Sequence, residues 1–363
     1  MTLNPEQLHV IRCYERLPPQ PGGMEQHIAA LTAAQRRQGV RVTEVFNTGL
    51  PAGESVQVLP GWQVDKIRPG MLRAAIFYAG VATKRIDVSD GRLRVLHVHG
   101  DWPAFMLAGA VGRKLRVNAL AASLHDRARG PLARYDRVLR PFCPVFTTGF
   151  SESRRLAKRL GRPVIHLPSA PANLFFENPH GLADPVDVVA VGSLVQKKNL
   201  DALLLCAALR RHLQFAILGE GPERARLDQM RARLGLDNVT FRGAVSREEV
   251  HSALCSARLF ISTSHNEGSP TAALEAMACG LPVVLAPSND YSAIIEQGAN
   301  GIVTATWDAE ELARAIDGFL DHPERLPEAR ALSRQTAQEH RWDRKAQLVT
   351  EAFLTALERK IKN

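Results

Sequence analysis

Two glutamates, a lysine pair and several glycine turns are the residues with the most chemistry to offer. Glu267 precedes a Gly268-Ser269-Pro270-Thr271 turn, and Glu275 follows eight residues later inside the apolar run Leu274–Ala278. A carboxylate at a helix start is stabilised by the helix dipole, so Glu267 alone could be a helix-start device. Glu275 is different, because a charge set among apolar residues is rarely buried without a partner. The hydroxyls of a ribose or a sugar would serve. Gly192-Ser193-Leu194-Val195-Gln196-Lys197-Lys198 follows the apolar run Val186–Val191 and precedes a helical pattern. A cation at such a strand-to-helix turn is well placed for a diphosphate. Pro21-Gly22-Gly23-Met24-Glu25 also sits between a strand and a helix. It reads either as a phosphate-binding loop, with free N–H groups at the helix start, or as an ordinary turn.

The elements that must position these groups alternate. Strands are expected at Leu8–Cys13, Arg41–Phe46, Leu93–Val98, Asn118–Leu124, Pro144–Thr148 and Val164–Leu167. A second series covers Val186–Val191, Phe215–Leu218, Val239–Arg242, Leu259–Thr263 and Pro282–Leu285. Amphipathic stretches lie between them, such as Glu25–Gln38, Asp201–Arg211 and Pro222–Leu234. Such alternation predicts parallel sheets with crossover helices, and two series predict two doubly wound Rossmann-like domains. The Pro- and Asn-rich stretch from Pro168 to Pro185 separates them. The expected domains are 1–167 and 168–342, the first completed by a last helix within 343–363.

Among 363 residues the charge is uneven. Residues 1–162 hold 25 Lys/Arg against 12 Asp/Glu, and residues 163–363 hold 21 against 25. The N-terminal half should attract anionic partners. Nucleic acid is the weaker option, since no aromatic-rich binding motif accompanies the charge. The five cysteines form no C-x-x-C pair, which predicts buried reduced thiols without a disulfide framework or zinc. The N-terminus lacks a secretory pattern and no apolar run reaches spanning length. The stretch Met71–Arg85 mixes apolar and basic residues and reads equally as a membrane-surface helix or a core-facing one.

The segment Glu267–Val284, with seven residues between its glutamates, resembles the signature of retaining GT-B glycosyltransferases of family 4. Gly22-Gly23-x-Glu25, Gly192-x-Leu194 with Lys198, Gly219-Glu220-Gly221-Pro222 and Phe241-Arg242-Gly243 resemble other parts of that family's pattern, in order. The resemblance implies a GT-B architecture, with two Rossmann-like domains facing across a cleft. It implies an N-terminal acceptor-binding domain, a C-terminal nucleotide-sugar domain, and transfer of a hexose with its anomeric configuration retained. The residues it implies for donor binding are Gly22, Gly23, Gly192, Ser193, Lys197, Lys198, Gly219, Gly243, Gly268, Ser269, Pro270, Thr271 and Glu275. Glu275 would hold ribose hydroxyls and Glu267 the donor sugar. In Ala121–Asp126, His125 resembles the family's histidine facing the donor sugar, while His97 and His99 match a less defined position. Two departures stand out: Ser193 replaces an arginine, for which Lys197 could substitute, and Pro168-Ser169-Ala170 replaces a Pro-Asn-Gly turn.

The implied substrates are a UDP- or GDP-sugar and an anionic or lipid-linked glycan acceptor of a bacterial surface polysaccharide or lipopolysaccharide. No Asp-x-Asp motif is present, and neither metal nor other cofactor is expected. The expected place is the cytoplasm, peripheral at the inner membrane face. Two other readings stay open: a GT-B nucleotide-sugar epimerase, and a non-catalytic nucleotide-sugar-binding protein.

Overall fold

The computed structural model describes residues 3–18, 23–68, 70–125, 132–178, 184–265, 267, 269–287, 291 and 294–362. The chain divides into two compact units: Met1–Ser169 with Trp342–Asn363, and Ala170–Arg341.

The first unit is built on a parallel sheet. In chain order its strands are β1 (Leu8–Cys13), β2 (Arg41–Phe46), β3 (Ser55–Gln57), β4 (Leu93–His99), β5 (Ala119–Leu124), β6 (Val145–Thr147) and β7 (Ile165–His166). Their spatial order is β3-β2-β1-β4-β5-β6-β7. β1 is fully buried, as a central strand covered by helices on both faces must be, and it carries His9 and Arg12 into the interior with its apolar residues. The chain turns direction between β1 and β4, and such a switch point leaves a crevice beyond the strand C-termini. The last helix, Trp342–Lys362, packs into this unit through Ala346, Val349 and Phe353, all fully buried.

The second unit repeats the plan with β8 (Val186–Val191), β9 (Phe215–Leu218), β10 (Val239–Gly243), β11 (Ala257–Ser262), β12 (Val283–Leu285) and β13 (Gly301–Val303). The order β10-β9-β8-β11-β12-β13 is parallel throughout and puts its switch point between β8 and β11. Two apolar layers sandwich the sheet, one around Leu203, Ile217 and Ile316, the other around Val189, Phe260 and Met277. The architecture is therefore two parallel-sheet α/β units.

β3 and β13 are the strands that hydrophobic pattern misses. Each has three residues, one polar and the other led by glycine, too few to display a period. The Met71–Arg85 ambiguity resolves toward the core. The helix Gly70–Thr83 buries Ala74, Phe77, Tyr78, Gly80 and Val81, and only Met71 and Leu72 of its large apolar residues stand exposed. Among the described residues no helix is long and apolar enough to cross a membrane.

Candidate functional site

At the C-terminal edge of the second sheet, three glycine turns are stitched together. The Gly192 N–H donates to Leu218 O (3.0 Å), and the Gly219 N–H donates to Gly243 O (2.8 Å). A Cβ on Gly219 would lie 2.0 Å from Gly192 O, and both residues have positive φ, so neither position admits a side chain without rebuilding the turn. The gap over Gly192 is taken by the Lys198 stem, whose Cε lies 3.3 Å from the site of a Cβ there.

Lys198 and Glu267 form an ion pair beside the β8–β11 switch point. The Ser264 hydroxyl donates to the same Glu267 oxygen (2.8 Å), and Thr263 Oγ1 donates to Lys198 O (3.0 Å). The loop after β11 thus fixes both charged residues. Gly192, Ser193, Lys198 and Ser264 share one depression, with Ser193 exposed at its rim. Lys197 is not brought there. It lines a separate hollow with Asp201, Glu223 and Arg226, and its carbonyl accepts the His265 N–H (2.8 Å).

Pro270 and Thr271 start the helix Thr271–Ala278, and the Thr271 hydroxyl reaches Ser269 Oγ at 3.4 Å. Glu275, on that helix, is buried, and burial lifts its pKa. Its partner is Arg247, whose Nη2 donates to Oε1 at 2.7 Å while the guanidinium stacks over Phe175. Sequence reasoning passes over Arg247 because it follows Ser246 in a capping box with Glu249, where a basic residue reads as solvent-facing. Gly22 and Gly268 lie outside the described residues, while Gly23 is the first residue of the helix Gly23–Arg37.

In the first unit, a cavity of about 320 Å³ opens beyond β1, β4 and β5. Its lining includes Arg16, Arg68 and Arg73 together with Glu15, Asp101 and Tyr14. Arg73 pairs with Glu15 (2.9 Å) and Arg16 with buried Glu25 (2.7 Å). Burial raises the Glu15 pKa against the pull of Arg73.

His99 and His125 line this cavity, and behind them lie two further histidines, His27 and His97. His99 Nδ1 and His125 Nε2 share a hydrogen bond of 2.8 Å, so one ring donates and the other accepts. His27, from the first helix, stands edge-on to His125 with ring centroids 4.7 Å apart and bonds Ser169 Oγ (3.0 Å). His97 packs at a tilt against His99, ring centroids 4.2 Å apart, and bonds Ser123 Oγ (2.7 Å). Burial pushes His125 down to about 3 and holds His27, His97 and His99 well below the usual range. All four are neutral at pH 7. The alternation of His97 and His99 on β4 was legible in sequence, but the arrival of His27 from a helix above the sheet was not.

Residues 175–339 match the family model of the glycosyl transferases group 1. This region contains both glutamates, Lys198, Arg247 and the three glycine turns. Residues of the chain are 33% identical over 150 positions to an alpha-D-kanosaminyltransferase of Streptomyces kanamyceticus, an alignment covering 40% of this chain and 39% of that one. A D-inositol 3-phosphate glycosyltransferase of Thermobispora bispora is 26% identical over 394 positions, covering 93% and 91%. In three dimensions the chain is similar to Anabaena HepE crystallised with UDP, with a TM-score of 0.75 at 18% identity over 96% of this chain and all of the other. At that identity the likeness is one of fold, and the fold is GT-B.

Proposed function

We propose that this protein is a retaining glycosyltransferase that moves a hexose from a UDP- or GDP-sugar to an anionic or lipid-linked glycan acceptor. The observation that carries this reading is the Lys198–Glu267 pair set over Gly192 at the switch point of the second sheet. In this reading the leaving diphosphate takes over the Lys198 ammonium, and Glu267, freed from it, turns to the sugar hydroxyls. Backbone N–H groups at Gly23, Ser269 and Thr271 add electrostatic stabilisation that needs no reorganisation. Glu275, oriented by Arg247, receives the ribose hydroxyls. Gly22, Gly268, Pro270, Gly219 and Gly243 shape the donor-binding backbone.

His125 is the residue of the first unit that we assign to the reacting sugar. A neutral imidazole suits that place. It offers a hydrogen bond without setting a positive charge beside a cation-like sugar, and His99 holds its orientation. The acceptor belongs to the cavity lined by Arg16, Arg68 and Arg73. The excess of basic over acidic residues in 1–162 supports an anionic acceptor delivered at an inner membrane face, as in surface polysaccharide or lipopolysaccharide assembly. That a relative is named for a phosphorylated inositol agrees with an anionic acceptor. The reaction as drawn uses lysine and backbone charge alone, without a catalytic metal.

The test is a thermal-shift panel of UDP, GDP, UDP-sugars and GDP-mannose on the wild type and on Glu275→Ala, followed by product analysis with and without anionic vesicles. One nucleotide class should stabilise the wild type by roughly 2.7 kcal/mol at about 100 times its dissociation constant. The mutant should lose that shift. Stabilisation by no nucleotide, or one equal in the mutant, would sink the reading.

A further inference from the structure

We propose that His251, Cys255 and Cys279 form a binding site for a soft divalent cation, zinc above all, inside the second unit. Their ligand atoms, one imidazole nitrogen and two sulfurs, all lie within 4.8 Å of one another. Across a tetrahedron with Zn–S bonds of about 2.3 Å, ligand atoms sit roughly 3.8 Å apart, so closing on the ion needs a contraction of about 1 Å at most. Two thiolates and a neutral imidazole suit zinc in charge and softness, and make a poor site for magnesium or calcium. Two thiolates also cancel the ion's charge, which a buried site requires.

The elements explain why sequence spacing hides the site. His251 and Cys255 are four residues apart on the helix Arg247–Ser256 and so share a face. Cys279 comes from the C-terminal end of another helix, Thr271–Ala278. No paired-cysteine motif arises, and the C-x-x-C rule that argues against zinc does not see it. Cys255 is half-buried, while His251 and Cys279 are buried, so an ion enters past Cys255 and displaces two thiol protons to solvent. The fourth position goes to water.

This site is separate from the switch point but braced to it. His251 follows Arg247 by one turn, and the Cys279 N–H donates to Glu275 O at 3.2 Å. An ion held by His251, Cys255 and Cys279 therefore ties together the two helices that carry the Arg247–Glu275 pair.

The full-length reduced protein, stripped with chelator, is titrated with cobalt(II) alone and then with zinc. One cobalt per chain should bind, giving a near-ultraviolet thiolate charge-transfer band and the strong visible bands of a tetrahedral ion. One equivalent of zinc should erase both and raise the thermal midpoint. Cys255→Ser should weaken binding by at least the roughly 10–100-fold that follows loss of a metal site's outer partners, and Cys143→Ser should leave it unchanged. The wild-type spectrum stands on its own should a buried variant fold poorly. The proposal is overturned by absence of a thiolate band, by a band that survives Cys255→Ser in folded protein, or by a fully reduced, folded protein that takes up no metal.

Discussion

At the scale of single residues, the Arg247–Glu275 pair decides how a carboxylate survives among Leu274, Ala276 and Met277. The burial of Glu275 raises its pKa, and Arg247 opposes the rise. Above its ordinary pKa, such a group destabilises the fold, because the unfolded state ionises more readily. Removing Arg247 enlarges that penalty. Arg247→Ala should therefore cost on the order of 1–2 kcal/mol at pH 7, below the range for fully buried pairs because the arginine is half exposed. The deficit should shrink as pH falls and Glu275 takes a proton, and it should vanish when Glu275→Gln is added. Urea unfolding at neutral and mildly acidic pH measures all three. A deficit independent of pH would show that Arg247 acts by packing on Phe175 instead.

At the scale of elements, strand ends deliver the site. β4 and β5 bring His97, His99 and His125 to one edge, and the first helix lowers His27 onto them. Burial depresses all four pKa values, so between the ordinary value near 6.5 and their folded values the unfolded state binds more protons. Stability should then fall as pH drops below about 6.5, each histidine adding up to ~1.4 kcal/mol per pH unit. His97→Gln can keep a bond to Ser123 while removing one titrating group, and should flatten the slope of unfolding free energy against pH. An unchanged slope would mean that the acid sensitivity arises elsewhere. What was legible beforehand follows the same division. Leu8–Cys13 and Val186–Val191 announce themselves, since apolar residues fill most of their six positions, with His9, Arg12 and Asp187 the exceptions. Glu275 stands out as a charge in an apolar helix, and His125 as a polar strand end. Arg247, Ser264 and His27 do not, because each is chemically ordinary in its own segment and gains its role from a segment distant in sequence.

At the scale of the whole molecule, the chain leaves the first unit at Ser169 and returns to it at Trp342. The returning helix is structural to that unit. Phe353 is fully buried, with its ring centroid 5.2 Å from that of His97 and 6.0 Å from that of Phe146, and Gln35 Nε2 donates to Thr350 Oγ1 nearby (2.9 Å). The first unit's fold thus depends on a segment far along the chain from its sheet, Trp342–Lys362, whereas Ala170–Arg341 is continuous. Two cores with separate hydrophobic clusters should unfold as two cooperative events. Phe353→Ala removes a large ring from the first core alone, at a cost of about 3–5 kcal/mol. In calorimetry, one transition should move down by many degrees while the other keeps its midpoint. Limited proteolysis should then cut the first unit and spare 170–341. A single transition that moves as a whole would mean that the two units unfold as one. In that case the terminal helix holds the whole chain together, and a lesson drawn from one core would apply to both.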